Sequence, residues 1–168
     1  MPITIRNEAP ADAQAIEALT AVAFLAAEHS SHTEQFIVNA LRRAGQLSVS
    51  LVAEDGGRIV GHVAISPVLI SDGAQGWYGL GPISVAPQRQ GQGIGSELMT
   101  KALAALHDVS AAGCVVLGDP AYYGRFGFAA TPALAYPGVP PEYFQALPLA
   151  GPMPSGIVSY HAAFDATA

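Results

Sequence analysis

At 168 residues the chain is long enough to bury a core without disulfides or a structural metal, and a single domain over residues 1–168 is expected. Its net charge of −6, with one lysine and six arginines, leaves no basic face to neutralise a nucleic-acid backbone or an anionic lipid surface. Apolar residues make up 51% but are dispersed, with no run of the roughly 18 needed to span a bilayer, and Met1-Pro2-Ile3-Thr4 lacks the character of a signal peptide, so a cytoplasmic setting is expected.

Ile3-Thr4-Ile5-Arg6 alternates apolar with polar and reads as a first strand. Pro10 suits a first helical turn and Asp12 its positive end, and Ile16, Leu19, Ala23 and Ala26 make an apolar stripe behind them. The stretch from Glu28 to His32 breaks that pattern. Ser31 and Glu34 then have capping-box spacing ahead of a second helix with Phe36, Ile37, Ala40 and Leu41 inward, ending near Gly45.

The period changes to strands over Leu47–Glu54, Arg58–Ile65 and Trp77–Val85, separated by Asp55-Gly56-Gly57 and Asp72-Gly73 turns. Gly79, Gly81 and Pro82 interrupt the third strand, since proline has no N–H to donate and glycine suggests a bulge, so the sheet should open there. After a glycine-rich turn, Ile94, Leu98, Met99, Leu103 and Leu106 recur with helical spacing. Gly113–Leu117 is a short apolar strand reached through that helix, hence parallel to the bulged one. Cys114 within it has no disulfide partner and reads as buried. Seven of thirteen prolines lie between Thr131 and Ser155, predicting a stiff irregular connection that covers a pocket, and Gly156–Phe164 resumes alternation as a last strand.

Gln90-Gly91-Gln92-Gly93-Ile94-Gly95 occupies the strand-to-helix turn. The first amides of a helix lack intrahelical partners and carry partial positive charge, so this turn suits a phosphate, with Ser96 in the first helical turn and Arg89 beside it. It is not a P-loop, which ends in Gly-Lys-Ser/Thr, and a dinucleotide fingerprint would need glycine at Ser96. An extended, amide-bearing ligand arm can then enter the wedge between two strands that part at a bulge, pairing like an added strand.

With Gln90, Gly93 and Gly95 in a Q-x-x-G-x-G frame, the turn resembles the coenzyme A loop of the GNAT superfamily of N-acetyltransferases. Tyr123-x-x-x-Gly127-Phe128 resembles that family's signature. The fuller run from Leu117 to Phe128, Leu-Gly-Asp-Pro-Ala-Tyr-Tyr-Gly-Arg-Phe-Gly-Phe, is similar to its YhbS-like branch. The resemblance implies an α/β (α+β) fold: a mixed, mostly antiparallel central sheet of about six or seven strands, splayed in the middle, with helices on both faces. It implies acetyl-coenzyme A as donor, held by Ile83, Ser84, Val85 and the residues Gln90, Gly91, Gln92, Gly93, Ile94, Gly95 and Ser96. The acceptor it implies is the amine of a small molecule or peptide, and a homodimer is a family-level expectation.

Direct attack of an amine on the thioester needs an N–H donor for the oxyanion, which the backbone around Ile83–Val85 supplies, and an acid for the departing thiolate. Tyr123, four residues before Gly127 where the family's general acid stands, is assigned that role. Tyr122 reads as a wall residue and Asp119 as a turn or helix cap. The base is open among Glu28, His29, His32, Glu34 and His62, and a neutral amine or a water chain makes a dedicated base unnecessary. No Cys/His cluster has zinc spacing, and neither Ser84 nor Ser96 has a triad pattern around it, so no metal is expected. Transfer to a hydroxyl, transfer of another acyl group, and a non-catalytic acyl-coenzyme A sensor are the alternative readings.

Overall fold

The structure, a computed structural model, describes residues 2–27 and 30–168. Strand β1 (Thr4–Asn7) lies at one edge, and a 3-10 turn (Pro10–Asp12) with proline first leads into α1 (Ala13–Phe24). Helix α2 (Glu34–Arg43) follows, with an acidic residue in its first turn and two arginines in its last, both complementary to the helix dipole. The strands β2 (Val49–Asp55), β3 (Arg58–Ile70) and β4 (Trp77–Val85) form an antiparallel meander. Helix α3 (Ile94–Asp108) returns the chain to β5 (Gly113–Leu117), which pairs parallel with β4. The remainder comprises a short helix α4 (Pro120–Tyr123), two-residue strands β6 (Ala129–Ala130) and β7 (Leu134–Ala135), then β8 (Phe144–Pro148) and β9 (Gly156–Tyr160).

Alternation along the strands places helices on both faces. A Cβ on Gly61 would stand 2.9 Å from Leu98 and 3.1 Å from Ile94, so this face of β3 lies directly against α3. Val52, on the opposite face of β2, packs with Ile16 of α1 and Val38 of α2. Each fully buried leucine or isoleucine contributes about 1.5–3 kcal/mol relative to exposure, and Ile16, Leu41, Ile65, Leu98 and Leu106 are all at 0%. The helices are therefore clamped to the sheet by side chains that its pleat alternately presents.

The nine-stranded sheet runs β1-β2-β3-β4-β5-β8-β6, with β9 paired to the far end of β3 and to β7. It exceeds the expected six or seven strands for local reasons. β3 continues past Ile65 to Ile70, where Val68, Leu69 and Ile70 meet Tyr160, Ser159 and Val158 of β9. Within the proline-rich connection, β8 pairs antiparallel with β5, the prolines lying before it, at its last residue and after it. The last strand stops at Tyr160, and Ala162–Asp165 is a 3-10 turn rather than more strand.

The sheet opens where the sequence interruption lies. β4 pairs with β5 only from Trp77 to Leu80, opposite Gly113 to Val116. Beyond the bulge at Gly81 and Pro82, β4 stays with β3, with Ile83, Ser84 and Val85 opposite Val63, His62 and Gly61. β5 instead ends beside β8, Leu117 opposite Phe144. The result is a fork between the ends of two parallel neighbours.

Candidate functional site

The fork has one wall with main-chain groups to offer. The Ala86 amide donates to Val60 O at 2.9 Å, and amides alternate sides along an antiparallel strand. The amides and carbonyls of Ile83 and Val85 therefore face away from β3 into the fork. Gln90 agrees with this: its side-chain Nε2 donates to Val85 O at 3.2 Å, tying the glycine turn to the strand end. Ser84 is placed differently. Its amide faces β3, and its buried Oγ has no partner among the described residues.

Beyond Val85 a 3-10 turn (Pro87–Arg89) leads through Gly91 at φ +77° and Gly93 at φ +84° to α3. Both glycines are required by their backbone, since a side chain there would meet nothing but would be strained. Gly95 serves a different purpose: a Cβ there would stand 3.0 Å from the Tyr122 hydroxyl, so its smallness lets that ring approach the helix start. Glu97 N is the first amide bonded back, to Gly93 O at 3.1 Å, which leaves those of Ile94, Gly95 and Ser96 pointing outward at the positive end of a 15-residue helix.

These amides line a pocket of about 390 Å³ together with Val85, Gln90 and Tyr122. Two guanidiniums border it. Arg89, the cation singled out in the sequence, is committed to Asp55 at 2.8 Å and to Gln92 at 3.0 Å. Arg125, given no role by sequence reasoning, lies over the Tyr122 ring at 5.2 Å and donates to Ser96 Oγ at 3.0 Å. The signal for Arg125 was its place in the Arg-Phe-Gly-Phe run, two residues past Tyr123. Main-chain amides plus an arginine without a carboxylate partner among the described residues make a seat for a diphosphate.

A second pocket of about 300 Å³ lies at the fork, lined by Leu80, Gly81, Pro82 and Ile83 of β4, by Leu117, and by Tyr123. Tyr123 is held there by Gly118, whose Cβ would come within 2.5 Å of its ring, and by an edge contact with Tyr122 at 5.0 Å. Burial, with smaller effects of Tyr122 and Asp119, pushes its pKa up to about 12, so the phenol carries its proton at neutral pH. Asp119 caps α4, accepting from Ala121 N at 2.9 Å.

The base candidates separate. Glu28 and His29 lie outside the described residues. His32 is exposed in the loop before α2. His62 is fully buried, bonded through Nε2 to Ser50 Oγ at 2.8 Å, and burial lowers its pKa to about 4. Glu34 alone among the described candidates lines the fork pocket. It does not form the expected capping box with Ser31: α2 has Thr33 at its N-cap without a side-chain bond, and Glu34 instead accepts from Ser30 Oγ at 2.7 and 2.8 Å. Cys114 is fully buried and its thiol pKa is raised by burial, which suits packing. Among the described residues no group of three His, Cys, Asp or Glu is placed to hold a metal, and no helix is long and apolar enough to cross a membrane.

Residues 46–130 match the Acetyltransferase (GNAT) domain family. Over 125 residues, 74% of this chain and 72% of the relative, the sequence is 40% identical to the uncharacterized N-acetyltransferase YhbS of Escherichia coli K12. Among solved structures, a GNAT family acetyltransferase from Brucella melitensis in complex with acetyl-CoA superimposes with a TM-score of 0.88 at 49% identity, covering 98% of this chain and 99% of that one. The Escherichia coli YhbS structure in complex with CoA gives 0.88 at 36% identity, covering 99% and 93%.

Proposed function

The chain belongs to the GNAT acetyltransferase family, and we propose that residues 1–168 work as one acyl-transfer domain whose Gln90–Ser96 turn grips acetyl-coenzyme A and whose Tyr123 is the general acid. It is an N-acetyltransferase, and its donor is the thioester that its Brucella melitensis relative holds. The observation carrying the assignment of residues is the juxtaposition of a helix start with outward amides and a fork whose wall exposes the amides of Ile83 and Val85.

In this reading the diphosphate sits on the amides of Ile94, Gly95 and Ser96, with Gln90, Gly91, Gln92 and Gly93 shaping the turn, while Arg125 supplies a cation. The pantetheine arm pairs with β4 through Ile83 and Val85, and Ser84 contributes by holding the register. The acceptor nitrogen attacks the carbonyl carbon with its lone pair, a C–N bond forms, and the carbonyl oxygen takes the charge near a β4 amide. Collapse of the tetrahedral species breaks the C–S bond. Tyr123 gives its proton to the departing sulfur, the nitrogen loses one to solvent, and the Tyr123 phenolate takes one back from solvent. A phenol suits this because its proton is retained at neutral pH yet transferable to a thiolate as charge builds.

The test is release of free thiol from acetyl-coenzyme A with a panel of amines. Wild-type protein turns over; Tyr123→Phe lowers kcat about 10²- to 10⁴-fold with donor affinity within about twofold. Donor binding with no thiol release for any amine would identify a sensor instead. The cytoplasmic setting and the homodimer belong to the same proposal, and sedimentation of the purified protein tests the latter.

A further inference from the structure

The fork pocket has a composition that selects among amines. Glu34 is the single acidic side chain in its lining among the described residues, and no arginine or lysine is there to meet a second anionic group. None of the ion pairs among the described residues involves Glu34, whose carboxylate accepts from Ser30 Oγ at 2.7 and 2.8 Å. The same lining includes aromatic rings: Tyr136 and Tyr160 meet edge to face at 5.3 Å, and Tyr160 meets Phe164 at 4.8 Å. Tyr160 lies so close over β4 that a Cβ on Gly79 would come within 2.5 Å of its ring, so this wall is fixed against the sheet.

We infer that the acceptor is a small arylalkyl monoamine, bound as its cation with the ammonium on Glu34 and its apolar body against Tyr136, Tyr160 and Phe164. This rests on the acetyltransferase reading of the site. A cation gains from a carboxylate and from aromatic faces alike. The pocket, about 300 Å³, stands at the small end of ligand sites and must also admit the acetyl end of the donor. An amino acid would bring a carboxylate with no partner, and a polyamine would bring further ammonium groups with no second carboxylate in the lining among the described residues to pair them. Glu34 is assigned recognition; the bound ammonium releases its proton to solvent before attack, and bond making and breaking follow as above.

The test uses the full chain at saturating acetyl-coenzyme A, with thiol release as readout. Phenethylamine should exceed phenylalanine, which has the same body plus a carboxylate, and spermidine by about tenfold or more in kcat/KM. Glu34→Gln should raise KM for phenethylamine about 10- to 100-fold while leaving KM for uncharged aniline and the donor Kd unchanged, and Glu34→Asp should restore part of the loss. The wild-type panel does not depend on how the variants fold. Preference for phenylalanine or spermidine, or equal KM loss for phenethylamine and aniline in Glu34→Gln, overturns the inference while leaving the transferase reading intact. Absence of thiol release with every amine overturns both.

Discussion

Arg89 and Arg125 border one pocket yet differ in what they have left to give. The first is spent on Asp55 and Gln92, whereas the second lies over Tyr122 and Phe126 and, among the described residues, hydrogen-bonds through its side chain only to the Ser96 hydroxyl. Arg125→Ala is therefore expected to weaken coenzyme A binding about three- to tenfold, an exposed charge-assisted bond being worth little more than that. Arg89→Ala should change it less than about twofold and instead cost a little stability. Isothermal titration of both variants reads the contrast. That the Q-x-x-G-x-G turn and Tyr123 line pockets was legible in the sequence because each is defined by fixed offsets in a local run. The rank of the two arginines was not, since Asp55, 34 residues before Arg89, decides it.

At the level of elements, the bulge in β4 was readable because Pro82 cannot donate and Gly81 stands at φ +139°. Strand β8 was hidden by the prolines around it, although Gln145 is anchored there by donating Nε2 to Gly118 O at 3.0 Å. The capping box failed because its spacing is satisfied by chance: Ser30, not Ser31, reaches Glu34. Strand β3 carries a consequence for acid stability through His62. Burial holds its pKa near 4 in the folded chain, below the ordinary value of 6.5, despite the opposing pull of Glu8. Between these values the unfolded chain binds the proton and the folded one does not, so stability falls as pH drops from about 6.5 to 4, by about 3 kcal/mol at most. Glu8, held low by Arg42 and Ser50 against its burial, adds a loss of the same sign at lower pH. Thermal unfolding of wild type against His62→Gln should show a shallower decline over that window in the variant.

The whole molecule carries a net charge of −6 and yet seats an anionic donor. Main-chain amides at a helix start are dipoles within contact range, and salt screens them far less than it screens separated side-chain charges. Raising KCl from about 50 to 300 mM should thus change the Kd for acetyl-coenzyme A less than about threefold, because screening weakens both the general repulsion and the contribution of Arg125. A steep loss of affinity, read by calorimetry across the series, would mean that side-chain cations dominate. The aromatic wall was beyond the reach of composition, since Tyr136, Tyr160 and Phe164 are brought together only by the pairing of β7 with β9 and of β9 with β3.

That pairing gives the two halves of the cleft separate ancestries along the polypeptide. The proposed donor cradle is written in one compact paragraph of sequence, from Ile83 to Arg125, while the proposed recipient's chamber shares Ile83, Leu117 and Tyr123 with that paragraph, adjoins it at residues 80–82, and takes its other walls from Phe24, Glu34 and Ile37 near the beginning and from Tyr136, Tyr160 and Phe164 near the end. On that proposal, grafting those outlying segments between relatives should exchange recipients while residues 83–125 keep the acetyl carrier in place.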